Sequence, residues 1–293
     1  MRLTRYDDPS AFASRAEPFL MAREAEHCLQ IGIVRSLQGG ERYSPLPPFL
    51  SLVEDDDGRV IQIALATPPH NLILSQIGPD AEAMEDESIR LVVRVAREAL
   101  PGLSGVQGPV SLARLFAEHW ETLTAQRARV DKHERIYRLD RVRPTRPCDG
   151  DMRRATEADR PLLLGWLRAF SAEAFNVKDD PSVDALIERR LRVASSGMYL
   201  WQVGGTPVSL AGYAGSTPHG IRVGPVYTPP EARGHGYASA LTAAVSQTLL
   251  DEGRQFVLLF TDLANPTSNH IYQEIGYVPV ADVTSYLFEE SSS

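Results

Sequence analysis

The residues of this 293-residue chain whose spacing most directly suggests chemistry are Arg233-Gly-His-Gly236-Tyr-Ala238. They follow a strand-like run ending in Val226, Tyr227 and Thr228, then two prolines, and they open an apolar helical stretch reading Ala-Ser-Ala-Leu. Prolines break a strand ladder, and the first turn of a helix carries amides with no intrahelical partner. Those amides and the helix dipole favour an anion, and Arg233 can add a full positive charge. Gly234 and Gly236 remove side chains where a pyrophosphate must come close to the backbone. A tight strand-to-helix turn would also explain the two glycines, but it leaves the arginine and the buried strand after the helix without a reason. A Rossmann site would want a third glycine where Ser239 stands, and a P-loop would want Gly-Lys followed by Ser or Thr.

The elements that must position these residues are legible from periodicity. After a loop rich in proline and charge at residues 143–151, a short strand leads into a helix in which Leu163, Trp166, Leu167 and Phe170 recur at helical spacing. A second helix is expected over residues 182–194, with Ser182 as its N-cap. From Gly197 the period changes to that of three antiparallel strands joined by turns at Gly204-Gly205 and Pro218-His219-Gly220. A helix over residues 236–252, a continuous apolar strand over residues 256–260, a helix after Asn265 and a closing pair of strands around Val278 and Tyr286 complete the half. The first half echoes this order, and Ala66-Thr-Pro-Pro-His70 matches Ser216-Thr-Pro-His219 about one domain length later. An internal duplication is expected, with domains at residues 1–146 and 147–293.

Composition bounds the rest. Hydrophobic residues make up 43% and charged residues 23%, the ordinary globular range. The two cysteines, Cys28 and Cys148, lie in no metal or disulfide spacing, so neither a zinc site nor any other metal is expected. No apolar run approaches a membrane span or the core of a signal peptide, so a cytoplasmic protein without membrane contact is expected. A net charge of −8 argues against nucleic acid as a partner. Asp55-Asp-Asp-Gly58 reads as a charged hairpin turn rather than a calcium loop.

Arg233-x-x-Gly236-x-Ala238 resembles the signature of the GNAT superfamily of acetyl-CoA-dependent N-acetyltransferases. The resemblance continues through Asn265, seven residues before Tyr272, and Gly276-Tyr277, and it covers residues 151–289. The wording around Val226 to Ala238 is closest to the branch with glycine-N-acyltransferase-like C-terminal domains. The fold implied is α/β: tandem GNAT-like domains, each a mixed, mostly antiparallel central sheet flanked by helices, with strands four and five splayed in the C-terminal one.

The resemblance implies roles residue by residue. Backbone groups of Val226, Tyr227 and Thr228 would pair with the pantetheine arm of acetyl-CoA. The amides of Gly234, His235, Gly236, Tyr237, Ala238 and Ser239, beside Arg233, would hold its pyrophosphate. Asn265 would hydrogen-bond the pantetheine, with Ser268 and Asn269 lining the same helix start. Tyr272 would be the general acid, since a phenol stays protonated at neutral pH and can donate to a departing thiolate. Transfer would be direct, to a primary amine of a small molecule, amino acid or peptide. The base is open: the fourth strand carries Arg222 and no carboxylate, which leaves Glu173, His219, a water chain or an acceptor of low pKa. A CoA-binding sensor or partner-binding pseudoenzyme with little turnover is the alternative, a longer acyl chain is a variant of the first reading, and a homodimer is compatible with either. The first half lacks the Arg-x-x-Gly motif and carries carboxylates at the matching place, so no CoA site is expected there.

Overall fold

The computed structural model describes residues 1–42 and 45–290. The first half runs β1 (Arg2–Tyr6), α1 (Pro9–Met21), α2 (Cys28–Gln38), β2 (Phe49–Glu54), β3 (Val60–Ala66), β4 (Leu72–Leu74), α3 (Glu85–Ala99), β5 (Gly105–Pro109), α4 (Val110–Leu123) and β6 (Gln126–Leu139). The second runs β7 (Asp151–Arg154), α5 (Arg160–Phe175), α6 (Val183–Arg192), β8 (Gly197–Val203), β9 (Thr206–Ala214), β10 (Gly220–Tyr227), α7 (Tyr237–Asp251), β11 (Phe256–Asp262), α8 (Pro266–Ile275) and β12 (Val278–Glu290). The two series are the same, element for element, which is the repeat the sequence suggests. In each, neighbouring strands pair antiparallel except the fourth and fifth, β4 with β5 and β10 with β11, which are parallel and joined across a helix.

Contacts divide the chain into two compact units, Met1–Ile136 with Asp262–Ala264 and Val280–Ser293, and Tyr137–Thr261 with Asn265–Pro279. A single cut near residue 146 therefore does not describe the packing: most of β12 belongs to the first unit. There it pairs antiparallel with β5 from Val283↔Pro109 to Leu287↔Gly105, and Phe288 stacks on Trp120 at 5.1 Å. The expected closing pair of strands is one strand, β12.

In the first unit β2 is buried along its whole length and β3 almost so, because helices cover both faces. Leu50, Leu52, Ile63 and Leu65 pack with Phe12, Leu20 and Val34 of α1 and α2, while Phe49, Val53 and Ala64 pack with Ile89, Val92, Phe116 and Trp120 of α3 and α4. The second unit repeats the arrangement. Met198, Leu200 and Leu210 meet Leu163, Leu167, Val183 and Ile187 of α5 and α6, and Tyr199, Tyr213, Ile221, Val223, Val257 and Leu259 meet Leu241, Val245, Leu249 and Ile275 of α7 and α8. Ser182 stands at the N-cap position of α6, but its side chain caps nothing: its hydroxyl donates to Asp180 Oδ1 at 2.6 Å, and that carboxylate also accepts from the Ser182 amide at 2.9 Å. No described helix is long and apolar enough to cross a membrane.

One polar group in the first unit ties its core to solution pH. His27 is 1% exposed, its Nδ1 lies 3.0 Å from Leu20 O, and its Nε2 accepts from the Gln76 amide at 3.1 Å. The two partners require a neutral ring with its proton on Nδ1. Burial, more than any other influence, lowers its pKa to about 4. The unfolded chain therefore binds the extra proton first as pH falls from about 6.5 towards 4, and the folded state loses stability through that window. Equilibrium unfolding of the intact protein at pH 7.5 and pH 5 is expected to differ by about 2 kcal/mol from this group alone, and His27→Gln is expected to remove that share of the pH dependence.

Candidate active site

The site is built on β10. This strand pairs in parallel with β11 only at Gly220↔Phe256, Ile221↔Val257 and Arg222↔Leu258, although β10 runs on to Tyr227 and β11 to Asp262. Its other edge stays paired with β9 through Val226↔Ala211 and Tyr227↔Leu210, past a register shift between Val223 and Val226. Beyond Arg222 the fourth and fifth strands of this half have thus parted, and one edge of β10 offers backbone donors and acceptors to a guest chain. Val226 and Thr228 are half-buried and Tyr227 is buried. The far edge is held by side chains: Ser209 Oγ donates to Tyr227 O at 3.2 Å and lies 2.8 Å from Thr228 Oγ1.

The chain then turns through Pro230–Ala232 and reaches α7 with Gly234 at φ +81° and Gly236 at φ +83°. Both angles are left-handed, which favours glycine. A Cβ on Gly234 would meet nothing within 4 Å, and one on Gly236 only Cys148 Cβ at 3.9 Å, so the space above the turn is open. The first intrahelical bond is Ala240 N to Gly236 O, and no side chain caps the helix. The amides of Tyr237, Ala238 and Ser239 therefore point out of the helix start without intrahelical partners. They follow directly on the exposed Gly234, His235 and Gly236, and backbone amides at a helix start favour an anion. The His235 ring stacks on Tyr237 at 5.4 Å.

The matching helix of the first half starts differently. The first turn of α3 carries Glu85, Asp86 and Glu87, whereas that of α7 carries no acid. Three carboxylates compensate the helix dipole themselves and repel a phosphate. The loop ahead of α3 also spends its amides internally, Gly78 N on Ile61 O, Ala81 N on Gly78 O and Met84 N on Ala81 O.

Arg233 is committed elsewhere than to the helix start. Its Nη2 reaches both carboxylate oxygens of Glu173 at 2.7 and 2.9 Å, and its Nε donates to Thr228 O at 2.9 Å. Glu173 also accepts from the Tyr227 hydroxyl at 3.3 Å, and burial followed by this carboxylate's charge raises the Tyr227 pKa. Glu173 is thereby placed beside the open strand edge. His219 is not: it precedes β10 by one residue, seven residues and roughly 20 Å of strand from Val226.

Asn265 caps α8, its Oδ1 accepting from the Ser268 amide at 3.0 Å, while Asn269 Nδ2 donates to Asn265 O at 2.8 Å. Tyr272, one turn further on, is buried, and burial pushes its pKa up to about 12. Its ring meets Tyr277 edge-on at 5.9 Å, and its hydroxyl bonds to none of the described residues. It is a phenol held protonated with its proton uncommitted. Two residues were not legible as part of this neighbourhood. The Tyr137 hydroxyl joins Asn269 Oδ1 at 3.1 Å and Gln273 Nε2 at 2.9 Å, although its sequence context shows only strand alternation. Arg190 is buried and donates to Gly224 O at 3.0 Å, although its place in a run of arginines near a helix end gives no sign of burial. Among the described residues no group of three or more His, Cys, Asp or Glu side chains is gathered to hold a metal ion.

No curated protein matches this chain by sequence. Among solved structures, a GCN5-related N-acetyltransferase from Sphaerobacter thermophilus superposes with a TM-score of 0.64 at 13% identity, over 98% of this chain and 95% of its own. An acetyltransferase from the GNAT family of Colwellia psychrerythraea gives 0.56 at 10%, over 99% and 100%. A tandem GNAT protein from the clavulanic acid biosynthesis pathway gives 0.56 at 14%, over the full length of both chains. At these identities the likeness is one of fold, and the fold is a tandem of two such domains. Residues 163–277, which hold most of α5, all of α6, α7 and α8 and every residue of the site from Glu173 to Tyr272, match the model of the Acetyltransferase (GNAT) family.

Proposed function

We propose that residues 147–293 form an N-acetyltransferase that moves an acetyl group from acetyl-CoA directly to a primary amine of a small molecule, amino acid or peptide. The observation that carries this reading is the pairing of two open rows of backbone groups: the edge of β10 beyond Arg222 and the uncapped amides at the start of α7. A pantetheine arm and a diphosphate are the two parts of one molecule that need such rows in that order. When bound, acetyl-CoA supplies the activated acyl group; the remaining chemistry belongs to the chain. Val226, Tyr227 and Thr228 orient the arm as a false strand. Gly234, His235, Gly236, Tyr237, Ala238 and Ser239 hold the diphosphate, and Asn265, Ser268 and Asn269 line the neighbouring helix start. Arg233 acts by tethering Glu173 and the end of β10.

Tyr272 donates the proton that the departing thiolate takes up, a role suited to a buried phenol with no other partner among the described residues. Glu173 is the carboxylate placed to accept a proton from the acceptor side, through the Tyr227 hydroxyl or water. The first half, degenerate at its α3 start, holds no CoA. The protein is read as cytoplasmic and metal-independent, with an amine acceptor rather than nucleic acid or membrane as its partner. A CoA-binding sensor with little turnover is the second reading; the absence of a carboxylate among residues 220–227 of β10 favours it.

Calorimetric titration of the intact protein with acetyl-CoA is expected to give one site per chain, and two sites would overturn the assignment of the halves. Ala238→Glu copies the acidic first turn of α3 into α7; it is expected to weaken acetyl-CoA binding by about tenfold or more while leaving thermal stability unchanged. Tyr272→Phe is expected to keep acetyl-CoA affinity and lower turnover by about tenfold or more. Thiol release measured across a panel of amines, amino acids, aminoglycosides and peptides separates enzyme from sensor.

A further inference from the structure

Arg190 lies in the last turn of α6, in the run Arg189-Arg190-Leu-Arg192. It is 7% exposed. Its Nη2 donates to Gly224 O, while its Nη1 is buried with no hydrogen-bond partner among the described residues. The charges that act on it belong to Arg222 and Arg189, both cations, and to the weakly acidic Tyr213; no carboxylate is among them. Burial first, and then these like charges, push its guanidinium down to about 9. Other arginines of this unit are balanced: Arg153 by Asp159, Arg160 by Glu157 and Glu188, Arg233 by Glu173.

A buried cation with an orphan N–H is costly, and water would satisfy the hydrogen bond without supplying charge. The place of this cation in the fold is equally specific. Gly224 lies in the irregular part of β10, just past the last residue paired with β11 and two residues before Val226. Ile221 and Val223 pack on the α7 side of the sheet, so Arg222 between them faces the side of α5 and α6 with Arg190. Arg222, Gly224, Pro225 and Val226 are all only half-buried, so this stretch of a central strand is reached by solvent. The unbalanced guanidinium is thus seated where the strands part, on the face of Glu173.

We propose that Arg190 receives a carboxylate of the acceptor, so that the substrate of this domain is an amino carboxylic acid whose amine is presented at the open edge of β10. The inference rests on the acetyltransferase reading and deepens it. A planar carboxylate accepts from the free Nη1 edge of the guanidinium and supplies the charge that the surrounding side chains withhold. Arg222 adds a second positive charge on the same face.

The test uses the full-length protein and follows thiol release from acetyl-CoA with matched acceptors: amino acids, their carboxamides, aminoalkylphosphonates and simple alkylamines. The carboxylates are expected to exceed their carboxamides by about thirtyfold or more in kcat/KM. Arg190→Gln is expected to abolish that preference mainly through KM, with acetyl-CoA affinity and carboxamide rates within about twofold of the parent. Equal rates for acid and carboxamide, a preference for phosphonate or alkylamine, or no turnover of any amino acid while acetyl-CoA binds would each overturn the role given to Arg190. So would an equal fall for every acceptor in Arg190→Gln, since the guanidinium would then serve the thioester or the fold. The comparison on the parent protein decides the matter even where the variant does not fold. Failure of the parent to bind acetyl-CoA would sink the acetyltransferase reading instead.

Discussion

The second unit depends on one local constraint: β10 cannot be paired on both edges along its full length. Three register pairs with β11 hold the strands together at one end, and beyond Arg222 and Leu258 they part. Backbone groups in a sheet interior are costly to leave unpaired, so an opened edge in the middle of a sheet is tolerated only where water or a ligand can reach it. The half-exposed residues Gly224, Pro225 and Val226 show that this edge is reachable. The helix that follows begins beside that opening, because α7 is the crossover between the two parallel strands. One irregularity thereby aligns a strand edge and a helix start on the same path.

Charge is distributed around this path by pairing. Arg233, which in isolation would add its charge to the helix start, is held by Glu173 and by the carbonyl of Thr228, so it fixes the end of β10 against α5. The attraction for an anion then comes from backbone amides and the dipole, which need no side-chain charge. Tyr272 is treated in the opposite way. Its hydroxyl has no partner among the described residues and its ring is buried against Tyr277, so burial sets its acidity. Among the described residues Arg190 is a buried cation with an unpartnered Nη1 and no carboxylate beside it, and it lies at the parting of the strands.

The first unit shows how a repeated fold supports a different outcome. Its elements follow the same order, yet three acids occupy the first turn of α3 and the preceding loop uses its amides on itself. The last strand of the chain completes its sheet, with Phe288 stacked on Trp120 and Phe116. Phe288 thus shares a core with Phe116 and Trp120, far earlier in the sequence.

Local signals determined a great deal. The 3.6 and 2.0 periods placed the helices and strands of the second half, the Arg233 to Ala238 spacing marked the helix start, and the acids near residues 85–87 distinguished the first half from it, because all of these depend on neighbours within one or two turns. Only the tertiary structure decided the rest. That β12 packs with β5, that Tyr137 reaches Asn269 and Gln273, that Arg233 faces Glu173 sixty positions away, and that Arg190 is buried among like charges are contacts between distant segments. Periodicity tells which face of an element is apolar but not which element will cover it. An arginine at a helix end therefore looks solvated until the strand beneath it is known.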